Sequence, residues 1–520
     1  MTNIEILEAR HEKMRQRQRI NERAYRIRCG PKQRPFVGCD GEGGDINGRH
    51  VYTCLRAGDQ ELFTGKPLSS RECLGFIADL PSGPIYVGYY FGYDITMILK
   101  DLPTGYLRDL KDSDKRKIIS NGHTWTPPIV WNGFDIQLIG HREFKVRRRH
   151  SEKPYTTIHD VSGCFQSTFL KAIRRWEIGT LKEQAQIEAG KEGRGSWGMA
   201  TESIREYNKL ECTLLVQMMD SVRVACTQVG IHPRTWQGAG QLAESMLESH
   251  YIGDYLAPIP AIMSVPTATA YFGGRFEITK QGLLDKVYEY DLNSAYPSAM
   301  RSLPCLRHGQ WRKGRVSPGS CGLSHVSWRR RNTSRAIPQP FPFRSHSGRI
   351  SYPSSGRGWY WSPELEAALD IGLWDIEIDE GYVWHQTCDH KPFDWIEDIY
   401  NYRKTLTDGR GIVLKLAMNS LYGKMAQSVG KPRFHSNVWA GLITSHVRAQ
   451  LLKDSHANGN AIMFATDAIY FEREAKTLQI GDNLGQYGRR MFPKYFIVLP
   501  GFHFPRGGSI DKTKTRGISG

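Results

Sequence analysis

The stretch Ala461-Ile-Met-Phe-Ala-Thr-Asp-Ala-Ile-Tyr-Phe471 places one carboxylate, Asp467, inside an apolar run that is typical of a buried strand. Upstream, a second carboxylate opens the run Asp291-Leu-Asn-Ser-Ala-Tyr-Pro297. An ionised carboxylate in apolar surroundings is costly unless a cation or hydrogen bonds meet it. Two such carboxylates therefore predict a shared metal site.

The length, composition and charge narrow the class of protein. A chain of 520 residues is too long for one ordinary core and predicts two or three domains. Its 40% hydrophobic and 11% aromatic content is that of a globular protein. A formal net charge of +17 indicates a polyanionic partner, with nucleic acid as the leading candidate and charge that serves solubility alone as the alternative.

The cysteines and apolar runs indicate the compartment. The ten cysteines are scattered and lack the dense regular spacing of a small secreted scaffold. No apolar run approaches the roughly 20 residues of a membrane span, and the N-terminus lacks a signal pattern. We therefore expect a soluble, cytoplasmic chain without a membrane partner.

Several segments indicate the organisation of the chain. Residues 4–28 carry many Arg and Lys without Pro or Gly, which predicts a basic helix. The runs 36–42 and 85–91 predict buried strands of an α/β domain, and a helix at about 200–228 closes that domain. Residues 258–270, with three prolines, read as a linker.

Residues 412–426 predict a helix on which Lys415, Asn419 and Tyr422 share one stripe. Leu414, Ala417 and Leu421 would turn toward the core. Such a helix presents a cation for a triphosphate at one end and a planar ring for a nucleotide at the other, which is the arrangement that nucleotidyl transfer requires.

Three segments follow one another along the chain: Asp291-Leu-Asn-Ser-Ala-Tyr-Pro297, Lys415-Leu-Ala-Met-Asn-Ser-Leu-Tyr-Gly423 and Ala465-Thr-Asp-Ala-Ile469. In order and content they resemble motifs A, B and C of family B DNA polymerases, and the resemblance extends from about residue 36 to 518. Tyr271-Phe-Gly-Gly274, just before motif A, is similar to a motif of the protein-primed branch of bacteriophages, other viruses and linear plasmids.

The resemblance implies an α/β and α+β multidomain fold, with an RNase H-like 3′-5′ exonuclease domain followed by a right-hand polymerase palm and fingers. Because the sequence ends shortly after Arg516, the thumb is expected to be short or absent. The expected domains are a basic N-terminal helix or arm (1–35), the exonuclease-like domain (36–257), the linker (258–270) and the polymerase domain (271–520). Within the last, the expected parts are the palm (271–304 and 427–520), an irregular insertion (305–358) and helical fingers (359–426).

The same resemblance implies a polymerase site that holds two Mg²⁺ or Mn²⁺ ions. Asp291, Asp467 and the backbone carbonyl of Leu292 would bind the metals, which activate the primer 3′ hydroxyl and stabilise the leaving pyrophosphate. Tyr296 would stack beneath the incoming sugar and exclude a 2′ hydroxyl. The other implied contacts are Lys415 and Arg403 on the triphosphate, Asn419 and Tyr422 at the nascent base pair, and Tyr271, Gly273, Gly274, Lys512, Lys514 and Arg516 on DNA.

An editing site is implied by the motifs Asp40-Gly-Glu42, Asp94 and Tyr207-Asn-Lys-Leu-Glu211. Four carboxylates can hold two metal ions, and Tyr207 can orient the attacking water. Two residues depart from the family pattern: Tyr90 stands where an asparagine is usual, and Glu211 replaces an aspartate with a longer arm. The alternative is an exonuclease fold kept as a scaffold for DNA without cleavage.

Motif C also departs from the family. Ala465 stands in place of a first aspartate and Ala468 in place of a serine. The gap between Tyr422 and Asp467 is short for the branch, which usually inserts a β-hairpin there. Enclosure of the template and processive strand displacement are therefore open. Distributive synthesis is expected from the short or absent thumb.

Zinc is not expected. Cys305, His308, Cys321 and His325 have spacings that a tetrahedral site could use, but few structural residues separate the pairs. His385, Cys388 and His390 are interpreted as ordinary loop residues.

The sequence thus predicts a DNA-directed DNA polymerase with a 3′-5′ proofreading exonuclease in phage, viral or plasmid DNA replication. The expected partners are template-primer DNA and deoxynucleoside triphosphates; a terminal protein primer is implied only by the branch. A monomer is expected, in the host cytoplasm if the source is a phage. The alternatives are a DNA-binding replication accessory and an exonuclease whose palm only binds DNA.

Overall fold

The computed structural model describes residues 34–112, 116, 118–120, 123–140, 142–317, 319–332, 337–428, 432–499, 501–505 and 514–515, with backbone alone at 119–120, 123–125 and 514–515. The predicted basic helix and the side chains of Lys512, Lys514 and Arg516 lie outside the described residues. The chain divides into two compact units, Met1–Val224 with Trp236–Gly238, and Ala225–Thr235 with Ala239–Gly520.

One mixed sheet organises the first unit. Its strands and an added ribbon are β1 (Phe36–Ile46), β2 (Arg49–Ala57), β3 (Gln60–Leu62), β4 (Ile85–Gly88), β5 (Ile118–Ser120), β6 (His123–Trp125), β7 (Ile129–Trp131), β8 (Phe134–Ile139), β9 (Glu143–Arg148) and β10 (Thr156–Asp160). The eight-stranded order is β3-β2-β1-β4-β10-β9-β8-β7, and β5 pairs with β6. β1 and β10 flank β4 in parallel, while the other neighbours are antiparallel.

Helices cover this sheet. They are α1 (Ser70–Asp79), α2 (Gly92–Ile98), α3 (Thr104–Lys111), α4 (Phe169–Arg175), α5 (Leu181–Gly193) and α6 (Glu202–Gln228), with short 3₁₀ turns at Ser162–Cys164 and Arg194–Ser196. The core between α1, α2 and the strands buries Tyr52, Leu74, Ile98 and Phe144. The predicted strands and the closing helix α6 are confirmed, although β4 ends at Gly88 and Asp94 lies in α2.

The second unit contains two larger sheets. Its strands are β11 (Arg275–Ile278), β12 (Gly282–Leu292), β13 (Gly309–Lys313), β14 (Gly322–Arg330), β15 (Phe343–Arg344), β16 (Ile350–Ser351), β17 (Ser355–Trp361), β18 (Trp374–Gln386), β19 (Met463–Thr466), β20 (Ala468–Phe471), β21 (Tyr487–Leu499), β22 (Phe502–Pro505) and β23 (Lys514–Thr515). The seven-stranded antiparallel sheet has the order β11-β19-β20-β12-β21-β22-β23. The second sheet has the order β13-β18-β14-β17.

The helices of this unit pack on the sheets and on one another. They are α7 (Ala239–Ser249), α8 (Ser264–Thr269), α9 (Ala295–Met300), α10 (Ser362–Ile371), α11 (Trp395–Lys404), α12 (Gly409–Ala426) and α13 (Asn437–Ala457), with 3₁₀ turns at Ile252–Tyr255 and Ala261–Met263. None of the described helices is long and apolar enough to cross a membrane.

The expectation of an irregular insertion at 305–358 is wrong. These residues supply β13, β14 and β17, and the side chains of Val326, Trp328 and Phe341 form a buried core with Tyr360 and Trp374. Val326 and Trp328 pack inward from one face of β14, whereas Ser327 and Arg329 lie on the opposite, more exposed face. The predicted helical fingers, 359–426, also contain the 13-residue strand β18.

The predicted linker at 258–270 is packed. It forms the turn Ala261–Met263 and α8, and it buries Met263 and Thr267. The division into units falls at Val224, and α7 belongs to the second unit, where it packs on α12. These units are defined by compactness alone, so the predicted bounds of the exonuclease-like domain (36–257), the linker (258–270) and the polymerase domain (271–520) stay predictions.

The predicted helix at 412–426 is α12. It begins after Asp408, whose side chain accepts a hydrogen bond of 2.9 Å from the backbone N–H of Arg410. As the pattern predicts, Leu414, Ala417 and Leu421 are buried. Lys415 and Asn419 are exposed on the opposite stripe.

Candidate active sites

Asp467 lies at the turn between β19 and β20. Its backbone N–H donates to the carbonyl of Ala465 at 2.9 Å, and Thr466 holds a left-handed φ of 67°. Such a φ is unusual for a β-branched residue, so the turn is a strained one that presents Asp467 beyond the last paired residues.

Strand pairing brings Asp291 beside this turn. Asp291 on β12 pairs with Ala468 on β20, and the backbone N–H of Leu292 donates to the carbonyl of Asp467 at 3.0 Å. The two carboxylate-bearing residues, far apart in sequence, are therefore neighbours at one end of the sheet.

The expectation that both carboxylates lie in apolar surroundings is wrong. Asp291 is exposed and Asp467 is half-buried. Side chains alternate along a strand, so Tyr290 and Leu292 take the core side while Asp291 takes the other. Two accessible carboxylates suit a hard divalent cation, which prefers oxygen ligands.

Three tyrosines meet next to the hairpin. The rings of Tyr296, on α9, and Tyr422, on α12, stack with centroids 4.6 Å apart and an angle of 25°. The hydroxyl of Tyr271 lies 2.6 Å from the hydroxyl of Tyr422. The structure thus brings together residues predicted from three separate motifs.

Gly274 is a point of close approach between the same motifs. A Cβ at Gly274 would lie 2.6 Å from Cγ2 of Thr466 and 2.7 Å from the hydroxyl of Tyr296. Only glycine leaves that space open. A Cβ at Gly273 would meet nothing within 4 Å.

A buried ion pair that the sequence did not reveal holds the Tyr271–Gly274 segment. Arg448 donates from Nη1 to the carbonyls of Phe272 and Gly273, both at 2.6 Å, and from Nε and Nη2 to Glu364 at 2.7 and 2.9 Å. The side chains of Arg448 and Glu364 are each only 1% exposed. No local pattern pairs these residues, because they meet only when α10 packs on α13.

The predicted cations lie on α11 and α12, which pack together. Lys415 is exposed and stands seven residues before Tyr422, about 10 Å along the helix axis. Arg403 is half-buried, with its guanidinium 4.9 Å from the ring centre of Tyr400. Neither is drawn into the tyrosine cluster, so both remain available to an anionic ligand.

The carboxylates of the first unit also converge. Single oxygens of Asp40, Glu42 and Glu211 all lie within 4.8 Å of one another. The amide of Asn208 donates to Asp40 at 2.9 Å. Asp94 is buried and accepts from the hydroxyl of Tyr52 at 2.8 Å.

Burial and mutual repulsion govern this cluster. Burial raises the pKa of Glu42 to about 8 and the pKa of Asp94 to about 7. Burial, followed by the charges of Glu211, Glu42 and Asp94, raises the pKa of Asp40 well above its usual range. Closely grouped carboxylates of this kind favour a divalent cation, which would relieve the repulsion.

Arg194 is the main feature that the motifs did not reveal in this site. Its Nη2 lies 3.0 Å from Glu42 and 2.6 Å from Glu211, and so places a positive charge between two predicted metal ligands. The ring of Tyr207 packs against Trp197 and lies 5.5 Å from the Arg194 guanidinium. Arg194 has no recognisable spacing from the motifs, although it stands in the loop between α5 and α6.

An aromatic cleft of about 540 Å³ opens onto these carboxylates. Tyr89, Tyr90 and Tyr93 line it together with the acidic residues. Tyr90 is 55% exposed, holds a left-handed φ of 51°, and donates its backbone N–H to Asp160 at 3.2 Å. The departure from asparagine therefore places an accessible ring at the mouth of the cleft.

Asp467 at the turn between β19 and β20 lies beside Asp291 on β12, and the helix α12 carries Lys415 and the stacked ring of Tyr422. On a sheet of this order, these features define a nucleotide-polymerising enzyme. The family model of DNA polymerase type B, organellar and viral, matches residues 174–433, half of the chain. This chain therefore belongs to the organellar and viral type B DNA polymerases, as the motifs predicted.

Relatives agree with this membership. A DNA polymerase of Acidianus bottle-shaped virus is 28% identical over 512 residues, which cover 91% of this chain and 74% of the relative. The primer-independent DNA polymerase PolB of Escherichia coli is 29% identical over 176 residues, covering 31% of this chain and 20% of the relative.

Solved structures establish the fold. Phi29 DNA polymerase aligns with a TM-score of 0.68 at 14% identity, covering 94% of this chain and 93% of its own. Its complex with primer-template DNA and incoming nucleotide substrates aligns with a TM-score of 0.65. The predicted multidomain fold, exonuclease unit followed by palm and fingers, is confirmed.

Proposed function

We propose that this DNA-directed DNA polymerase extends a primer 3′ end at Asp291 and Asp467, in the replication of viral, phage or plasmid DNA. The observation that carries this assignment is the hydrogen bond from Leu292 to Asp467, which joins the two carboxylate-bearing segments beside the Tyr296–Tyr422 stack.

The residues at this site fit two divalent ions, Mg²⁺ or Mn²⁺, held by Asp291, Asp467 and the carbonyl of Leu292. Such ions, when bound, would increase the nucleophilicity of the primer hydroxyl and offset charge on the leaving pyrophosphate. Lys415 and Arg403 neutralise the triphosphate. Tyr296 supports the sugar and excludes a 2′ hydroxyl, while Asn419 and Tyr422 line the base-pair pocket.

A proofreading 3′-5′ exonuclease is the second part of the proposal. Asp40, Glu42, Asp94 and Glu211 would hold two metal ions, and Tyr207 would orient the attacking water. Exposed aromatic rings stack on unpaired bases without regard to sequence, so Tyr90 fits the frayed 3′ end of a primer. The convergence of three carboxylates within 4.8 Å supports this assignment.

The partners follow from the same residues. Template-primer DNA and deoxynucleoside triphosphates are the substrates that a basic chain of this family accepts, with Tyr271, Gly273, Gly274, Lys512, Lys514 and Arg516 on DNA. The primer could be supplied by a terminal protein, by an oligonucleotide, or not be needed at all. The E. coli relative is named a primer-independent DNA polymerase, which makes synthesis without a primer a specific possibility to test. We further propose that the chain acts as a monomer in the cytoplasm, the host cytoplasm if a phage encodes it.

Extension of a labelled primer on single-stranded template, with magnesium and deoxynucleotides, tests the polymerase site. Asp467→Ala should abolish extension. The matched control is Asp285→Ala, on the same strand as Asp291, because the Asp285 side chain is 86% exposed and lies 3.8 Å from Lys494. Full extension by Asp467→Ala, or equal loss in Asp285→Ala, would overturn the assignment.

Two further lanes test the remaining parts. Without nucleotides, the wild-type chain should shorten the primer and Asp40→Ala should not. Without primer, de novo products would indicate primer-independent initiation, whereas their absence would leave an oligonucleotide or a protein as primer. Tight DNA binding without extension by the wild-type chain would favour the replication accessory.

A further inference from the structure

The second unit holds a cluster of two cysteines and two histidines away from the tyrosine cluster. Ligand atoms of Cys305, His308, Cys388 and His390 all lie within 4.8 Å of one another. The first two stand in the loop between α9 and β13, and the last two in the loop between β18 and α11. Cys321 and His325, the partners that spacing suggested, are not part of the described cluster, and the side chain of His325 instead contacts Asp379.

Distances within the cluster match a tetrahedral metal site. Sγ of Cys305 lies 3.5 Å from Nδ1 of His308, and Nδ1 of His308 lies 3.2 Å from Nδ1 of His390. Four ligands at ordinary zinc bond lengths give edges of about 3.6 Å between sulfur and nitrogen and about 3.3 Å between two nitrogens. The two imidazole nitrogens thus already stand at the nitrogen–nitrogen edge length of such a site.

The loops that carry these side chains are tied to one glutamine. Gln386, the last residue of β18, accepts at Oε1 from the backbone N–H of Cys305 at 3.0 Å. Its amide nitrogen donates to the carbonyls of Cys388 at 2.7 Å and His390 at 3.1 Å. Gln386 thus fixes the backbone of three of the four residues, as supporting residues of metal sites do.

Further contacts hold the cluster from both sides. The indole N–H of Trp384 donates to the carbonyl of Cys305 at 3.0 Å, and the backbone N–H of Thr387 donates to the carbonyl of His308 at 3.0 Å. The ring of Tyr255 meets the edge of the His390 ring at 5.6 Å. The ligand-bearing loops are therefore ordered by neighbours other than the ligands.

We propose that Cys305, His308, Cys388 and His390 bind a structural zinc ion. Two thiolates and two imidazoles form a closed set that leaves no position for substrate, which is the mark of a structural site. Both cysteines are unpaired thiols in the described part of the chain. The ion fastens the loop after α9, the helix of Tyr296, to the loop before α11, the helix of Arg403.

The test is metal content. Full-length protein expressed with zinc and dialysed against a weak chelator should retain one zinc ion per chain by mass spectrometry. After exchange, Co²⁺ should give the intense visible bands of tetrahedral sulfur and nitrogen ligation. Cys388→Ser and His390→Ala should lose the ion, whereas the matched controls Cys321→Ser and His385→Ala, which change the same residue types outside the cluster, should keep it.

Gln386→Ala provides a variant that keeps all four ligands. Zinc should then bind 10 to 100 times more weakly in chelator competition, roughly the usual effect of losing a supporting contact. Folding of each variant is checked by circular dichroism. Three results would each overturn the proposal: wild-type chain without zinc, a disulfide between Cys305 and Cys388, or a cobalt spectrum with the weak bands of six-coordinate ligation.

Discussion

The acidic sites of the two units are built in opposite ways. In the first unit, buried carboxylates crowd together, keep raised pKa values and surround the charge of Arg194. In the second, Asp291 is exposed on β12 and Asp467 is half-buried at the turn between β19 and β20. Water solvates Asp291 and reaches the half-buried Asp467, whereas the buried group of the first unit depends on protons and an internal cation for its neutrality. Metal binding must therefore displace more protons and more positive charge from the carboxylates of the first unit than from those of the second.

The largest expected effect comes from removing one carboxylate from each site. Asp40→Asn should lower cleavage by about ten-thousand-fold, equal to about 5.4 kcal/mol of transition-state stabilisation, while extension is unchanged. Asp291→Asn should do the reverse. Rates of primer shortening and primer extension, measured on the same preparations, check both. Loss of both activities in either variant would contradict two separate sites.

A second variant acts on the buried support of the polymerase site. Arg448→Met leaves Glu364 buried without its partner and takes the Arg448 donor from the carbonyls of Phe272 and Gly273, of which Phe272 keeps the hydroxyl of Thr444 at 2.7 Å. The unfolding free energy should therefore fall by about 3–5 kcal/mol. Lys453→Met on the same helix is the control, since its pair with Asp370 at 2.6 Å is exposed and contributes at most about 1 kcal/mol. Denaturant unfolding measures the two losses. Equal losses would refute a special role for Arg448.

Arg194→Gln tests whether the internal cation competes with metal. The magnesium concentration for half-maximal cleavage should fall several-fold, to about a fifth, because the competing charge is gone, about 1 kcal/mol of Coulomb energy. That for extension should not change. Arg174→Gln, which removes an exposed pair with Glu188 in the same unit, serves as the control. A higher magnesium requirement would instead assign Arg194 a role in holding substrate.

An effect no larger than that of Arg194→Gln is expected in the tyrosine cluster. Tyr422→Phe removes the hydroxyl contact with Tyr271 but keeps the ring that stacks on Tyr296. The loss should be about 1 kcal/mol, seen as a roughly fivefold higher KM for nucleotide with kcat retained. Tyr422→Ala, which also removes the stack, should lose more. Steady-state incorporation kinetics decide, and identical values for Phe and Ala would show that the ring contributes nothing.

Local sequence predicted the elements and the convergence of motif residues. Periodicity and apolar runs located β1, α6 and α12, and the motifs identified tyrosines that prove to be neighbours. The strands within 305–358 were not predicted, because the many Arg and Ser residues of this segment obscure the alternation that places Val326 and Trp328 in the core.

The site contacts that the sequence did not predict share one physical origin. Arg448 meets Glu364, and Cys305 meets Cys388, only through the packing of distant segments, which no short-range pattern encodes. Arg194 reaches Glu42 across the fold in the same way. The roles of Asp40, Asp291 and their partners remain predictions, because proximity alone does not establish chemistry.

Gly273 and Gly274 are adjacent in sequence, but random mutagenesis should affect them differently. A library that replaces Gly274 should yield active clones that keep glycine, because any side chain there would collide with Thr466 and Tyr296. At Gly273, where space is open, many residue types should survive selection. Of these two neighbouring glycines, only Gly274 should therefore stay glycine as the sequence diverges. Gly273 is a position where a side chain could add new contacts to the enzyme.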